Sequence, residues 1–225
     1  MEKEQITTNT AAITGVLTEP VTFSHEYMGG YFYKSVIEAD RRSEEHDLIP
    51  VIFPGKALRG RNVTKGSAVT IRGQFRSRNT PGPDRMKLML YFYATDVEEE
   101  PPVDDDVVCE SPASYCGSEH NSVFLDGYLC REPGYRITPR GRDITDMILA
   151  VNRKTNRTDY IPCIAWGKNA LLAKEMRVGD RIALNGRIQS RVYRKTDPEG
   201  SEREMTAYEV SVMSMRREEP AQAGA

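Results

Sequence analysis

The chain has 225 residues, of which 39% are hydrophobic, and a formal net charge of −2. That length allows one or two domains, each able to bury a core. No apolar run approaches the roughly 20 residues of a membrane span, and Met1-Glu2-Lys3-Glu4-Gln5 carries no signal-peptide pattern, so a cytoplasmic protein is expected.

In chain order, residues rich in β-branched and aromatic side chains predict strands near 10–18, 31–40, 47–53, 67–77 and 87–97, with a weak helix over about Lys56 to Asn62. Residues 98–119 follow, with eight Asp/Glu, no Lys or Arg, and Pro101-Pro102. Such a segment reads as an extended linker, or as an acidic mimic of a nucleic-acid backbone. Val123-Phe124-Leu125 then opens a strand toward Leu129, and strands are predicted over Ile144 to Val151 and Tyr160 to Trp166. Gly167 to Met176 reads as a helix whose apolar side is Leu171, Leu172 and Met176. Strands from Arg181 and over Met205 to Met215 flank a hairpin tip at 196–200. The end, 216–225, reads as a disordered tail; its last residue is Ala225, not Phe.

The two halves are copies of one another. Gly15-Val16-Leu17 matches Gly127-Tyr128-Leu129, and Asp47-Leu48-Ile49-Pro50 matches Asp159-Tyr160-Ile161-Pro162, at an offset of 112. Gly73 with Gly186, and Ser77-Arg78 with Ser190-Arg191, keep phase at 113. Five strands with one short helix between the third and fourth is the order of an OB-fold. The expected architecture is all-β: a first OB-fold barrel over 1–97, an acidic Pro-containing linker over 98–119, and a second barrel over 120–215. Gly73 and Gly186, inside the fourth strands, predict bulges that turn the barrel corners. Charge is segregated: residues 11–97 hold 12 Lys/Arg against 9 Asp/Glu, and 120–217 hold 18 against 12. A partner meets those local fields rather than the average.

No catalytic constellation, phosphate loop or cofactor motif is present, so neither an enzyme nor a cofactor is expected. Cys109, Cys116, His120 and Cys130 are spaced unlike common zinc sites, so no metal is expected. The second half instead interleaves rings and cations. Tyr160 and Trp166 flank the third strand, and Tyr193 lies in the hairpin after the fourth. Arg153, Lys154 and Arg157 crowd the turn before Tyr160, Lys168 follows Trp166, and Arg187, Arg191 and Arg194 run through the fourth strand. Rings stack on unpaired bases and cations hold phosphates. Even spacing puts Tyr160 and Trp166 on one strand face, either a groove or the core. Arg191, matched by Arg78, is either a barrel charge or a phosphate ligand.

Residues 121–215 resemble the bacterial single-stranded DNA-binding protein family, through Asn121-Ser122-Val123-Phe124-Leu125-Asp126-Gly127-Tyr128-Leu129, Leu149-Ala150-Val151-Asn152-Arg153, Asp159 to Lys168 and Gly186 to Arg191. The resemblance implies sequence-independent binding of single-stranded DNA in replication, recombination or repair, on the bacterial nucleoid. It implies stacking by Tyr160, Trp166 and Tyr193, and four barrels per assembly, hence a homodimer of this two-barrel chain. The family commonly ends in an acidic tip with a terminal Phe that recruits partner enzymes, so recruitment of replication or repair proteins by that route is in doubt. In the first half Leu48, Pro54 and Thr80 replace the three rings, while Arg41, Arg42, Lys56, Arg76 and Arg78 remain as cations. That half reads as an assembly barrel or as a different stacking surface. The alternative for the whole chain is a protein–protein adaptor of a primosome or mobile element.

Overall fold

The computed structural model describes residues 8–81 (except 42 and 44), 86–100, 121–196, 200 and 202–218. Its first half contains strands β1 (Asn9–Leu17), β2 (Thr22–Tyr27), β3 (Gly30–Asp40), β4 (His46–Pro54), β5 (Ala68–Thr80) and β6 (Lys87–Glu99). The second contains β7 (Asn121–Leu129), β8 (Gly134–Ile137), β9 (Asp143–Asn152), β10 (Thr158–Trp166), helix α1 (Lys168–Lys174), β11 (Arg181–Thr196) and β12 (Glu202–Glu218).

Each half closes a ring of five strands, as the strand order predicts. In the first, β1 pairs with β3, β3 with β4, β4 in parallel with β6, β6 with β5, and β5 with β1. In the second the ring runs β7, β9, β10, β12, β11, again with one parallel step, β10 to β12. A sixth strand in each half was not foreseen. Among the described residues β2 pairs only with β3, and β8 only with β9, so both hang outside the ring as edge ribbons. They are short, and their apolar side chains, Phe23 and Tyr27 on β2 and Ile137 on β8, are exposed, so neither has the buried face that marks a core strand.

Alternation explains the cores. In β4, Ile49, Val51 and Phe53 point inward and are fully buried; in β10, Ile161, Cys163 and Ala165 do the same. Burial pushes the Cys163 thiol up, which keeps it protonated and unreactive. The fourth strands bulge between Arg72 and Gly73 and between Asn185 and Gly186, as predicted. At Gly73 an added Cβ would run into the Tyr93 carbonyl, so only glycine permits the close crossing there.

The connections between third and fourth strands differ. The first half has a single 3-10 turn, Gly55–Leu58. The second has α1, seated on its barrel by Ala170, Ala173 and Met176, with Thr145 Oγ1 donating to the Ala170 carbonyl at 2.8 Å. Leu171 and Leu172, expected on the packed side, face outward. The i, i+3, i+6 spacing of the two alanines and Met176 selects the packed side, and small residues let the helix lie close.

The barrels are joined by β1 and β7, antiparallel from Asn9 opposite Leu125 to Ile13 opposite Asn121. Since Asn9 and Asn121 are repeat equivalents, as are Ile13 and Leu125, the pairing is symmetric about a local two-fold axis. It is the self-complementary contact of a two-fold dimer, built within one chain. All twelve strands thereby form one continuous sheet. The last strand of the first barrel continues through Glu98 and Glu99, which pair with Thr70 and Val69. Most of the acidic segment, and with it Cys109, Cys116 and His120, lies outside the described residues, as does the tail beyond Glu218.

Candidate nucleic-acid interface

The inward run of Asp159, Ile161, Cys163 and Ala165 forces Tyr160, Pro162, Ile164 and Trp166 onto the outer face of β10. Tyr160 is 42% exposed and Trp166 39% exposed, with buried Ile164 as the floor between them. Both rings therefore lie on the outer face of the strand and not in the core. Ile164 lies opposite Ser211 of β12, and Ser211 opposite Arg187 of β11. By alternation Arg187, Gln189, Arg191 and Tyr193 share that outer face. The Arg191 guanidinium lies 5.8 Å from the centre of the half-buried Tyr193 ring, and the Tyr193 hydroxyl is 3.8 Å from Met205 Sδ. Three rings and two arginines therefore stand on one surface, with exposed Lys168 directly beyond Trp166. Arg194 has the opposite parity and faces Glu202 and Glu204 at 3.6 and 3.8 Å.

Lys154 and Arg157 are exposed in the β9–β10 turn, near Tyr160. Arg153, in the same turn, is committed elsewhere. Its guanidinium bonds both oxygens of Asp159, at 2.7 and 2.5 Å, and reaches across to the Ser77 carbonyl of the first barrel at 2.9 Å. Asp159 in turn accepts from the Ser77 amide at 2.6 Å, and the Ser77 hydroxyl accepts from the Tyr160 amide at 2.8 Å. The first half returns the same clasp. Arg41 bonds Asp47 and the Ser190 carbonyl, Asp47 accepts from the Ser190 amide at 2.5 Å, and the Leu48 amide donates to Ser190 Oγ at 3.1 Å. Both aspartates are buried, and the hydrogen bonds they accept raise the pKa of Arg41 and of Arg153. These two arginines hold the barrels together.

Of the other first-barrel cations, Lys56 is exposed on the 3-10 turn, Arg78 is exposed on β5, and Arg42 lies outside the described residues. Arg76 is half-buried, 3.6 Å from the centre of the Tyr93 ring, with its guanidinium on the Gln74 amide oxygen at 2.6 and 2.9 Å. Leu48, at the position of Tyr160, is exposed, and Pro54, at that of Trp166, is buried. The rings of this half lie elsewhere: His25 stacks on Phe32 at 4.8 Å, and Phe23 meets Tyr31 and Tyr33 edge-on, on the β2–β3 ribbon.

The clasp was missed in the sequence, although its signal was there. Arg41, Asp47 and Ser77 are among the most strictly repeated residues, with Arg153, Asp159 and Ser190 as their copies. A group of Glu38, Asp40 and His46 was also unforeseen. Its ligand-type atoms lie within 4.8 Å of one another, and a 2.7 Å bond from His46 to Asp40 accounts for it.

Two closed five-strand barrels, with an outer face of rings and arginines on the second, define a tandem OB-fold protein. The single-strand binding protein family matches residues 120–217. A single-stranded DNA-binding protein of Clostridium tetani is 39% identical over 84 residues, 34% of this chain and 58% of that protein. One from Thermus thermophilus is 35% identical over 108 residues, 46% of this chain and 40% of that one. The chain thus spans about half the length of these relatives. The crystal structure of the wild-type single-stranded DNA binding protein from Thermus aquaticus superposes with a TM-score of 0.70 over 96% of both chains, at 22% identity, and so shares the fold. The match to the single-strand binding protein family thus falls on the second barrel, residues 120–217, and the sequence likeness to the single-stranded DNA-binding protein of Clostridium tetani extends over 84 residues.

Proposed function

We propose that the chain binds single-stranded DNA without strong sequence preference, as a binding protein and not an enzyme, and keeps exposed strands unpaired in replication, recombination or repair. The observation that supports this most is the shared outer face of Tyr160, Trp166 and Tyr193, in register with Arg187 and Arg191. Rings accept any base, and cations accept any phosphate, so the surface needs no sequence. Lys154, Arg157 and Lys168 extend the positive field at its two ends. Two chains pair to present four barrels.

Titration with oligo-dT tests this reading through the fluorescence of Trp166, the only tryptophan. Quenching is expected. If about five phosphates are neutralised, the log–log salt slope should be near −3.5, so a fourfold rise in salt weakens binding roughly a hundredfold. An unquenched Trp166 or a flat salt response overturns the proposal. Light scattering should give twice the chain mass.

A further inference from the structure

The local two-fold axis creates two seams between the barrels, and they have diverged in charge. One seam joins β5 of the first barrel to the β9–β10 turn of the second; the other joins β11 to the β3–β4 turn. Each is locked by one copy of the clasp. Around the clasp, equivalent positions differ. Arg76 on the first seam stands where Gln189 stands on the second, and Arg157 where Glu45 stands. Tyr91, opposite Arg76 in the sheet, stands where Glu209 lies opposite Gln189.

The second seam is internally neutralised: Glu45 lies 2.5 Å from Arg41, and Gln189 donates to Glu209 at 2.7 Å. On the first seam Arg153 keeps its own Asp159, but among the described residues no carboxylate takes the place of Glu45 or Glu209. Arg76 bonds no carboxylate among the described residues, and burial together with nearby Arg153 lowers its pKa. Arg78 and Arg157 are exposed, and Arg157 also lies 3.3 Å from the Tyr27 hydroxyl of the β2–β3 hairpin. A cavity of about 130 Å³ opens between Arg76 and Arg153, and a second of about 280 Å³ between Arg78 and Arg157. Arg153 already has Asp159, but the half-buried guanidinium of Arg76, without a carboxylate and beside the exposed Arg78 and Arg157, leaves a positive field along this open seam that favours an anion.

We infer that a single strand held on the second barrel runs onto the first across this seam and not across the other, with phosphates against Arg76, Arg78 and Arg157 and a base over the exposed ring of Tyr27. The inference rests on the function proposed above. It makes the first barrel a second station for one continuous strand, despite its lost rings.

The test uses the full chain and two oligo-dT probes, one of about 8 nucleotides, enough for one barrel, and one of about 30. The double variant Arg76→Gln/Arg78→Gln should leave quenching of Trp166 by the short probe unchanged within twofold. It should weaken the long probe on the order of tenfold, and make its salt slope shallower by about 1.4, the equivalent of two phosphates. Arg59→Gln/Lys65→Gln, an equal charge loss at exposed sites away from the seam, should change neither. Arg78→Gln alone, at an exposed side chain, should make the slope shallower by about 0.7. Long-probe affinity and slope equal to the parent in both Arg78 variants overturn the seam. Failure of both probes to quench Trp166 in the parent overturns the single-strand reading itself.

Discussion

At the joint between the barrels the two halves are interchangeable. Arg41, Asp47 and Ser77 of one half do what Arg153, Asp159 and Ser190 do in the other, and Asn9 and Asn121 each bridge a fourth strand with two hydrogen bonds, to Phe75 and to Ile188. On the outer faces the halves are not interchangeable. Tyr160, Trp166 and Tyr193 face Leu48, Pro54 and Thr80 across the repeat, while Arg76 and Tyr91 answer Gln189 and Glu209. The contrast has a physical cause. A self-complementary contact uses each residue against its partner's copy, so a change on one side leaves a buried group unsatisfied on the other. An outer face answers only to its ligand, and each copy can change by itself.

The largest expected effect probes the joint. Asp159→Ala strips Arg153 and the Ser77 amide of their buried partner and should cost about 3–5 kcal/mol of stability in urea unfolding. Asp47→Ala should cost less, since Glu45 remains on Arg41. Equal losses would show that Glu45 contributes nothing to that clasp. Next come the bulges. Gly73→Ala and Gly186→Ala press a Cβ onto the carbonyls of Tyr93 and Ser211, with the tighter approach at Gly73. Both should lower the thermal midpoint, by the equivalent of about 1–3 kcal/mol, with Gly73→Ala the worse. A neutral Gly186→Ala would mean that the second barrel closes with slack the first does not have. The outer faces give the smallest change in stability and the sharpest contrast in binding. Tyr160→Ala should weaken oligo-dT binding by about 1–3 kcal/mol with little change in unfolding, whereas Leu48→Ala should leave affinity within twofold. Similar losses from both would erase the functional distinction between the barrels.

Much of the site could be read from the sequence because strand alternation is local. Once β10 buries Ile161, Cys163 and Ala165, the outward position of Tyr160 and Trp166 follows from a period of two, and the mid-strand glycines announce their bulges in the same way. The helix was placed correctly but turned wrongly. Leu171 and Leu172 are more hydrophobic than Ala170 and Ala173, yet closeness to the barrel favours the small pair. Arg153 is the instructive failure. Beside Lys154 and Arg157 it looks like one of three phosphate ligands, and only the approach of Ser77, 76 positions earlier, reveals a different role.

By itself, then, the sequence determined the duplication, the five-stranded barrels, the shared strand face of Tyr160 and Trp166, and the replacement of the three rings in the first half, while the structure made that face the outer one. These depend on period, composition and repeat phase, which are properties of neighbouring residues. Only the tertiary structure decided which cations stay available to a ligand and which are spent on the joint. It also decided that two seams built from the same repeat carry different charge. Those outcomes require β1 to pair with β7, which brings side chains far apart in the chain within hydrogen-bonding distance, and a charge is worth what its nearest partners make of it.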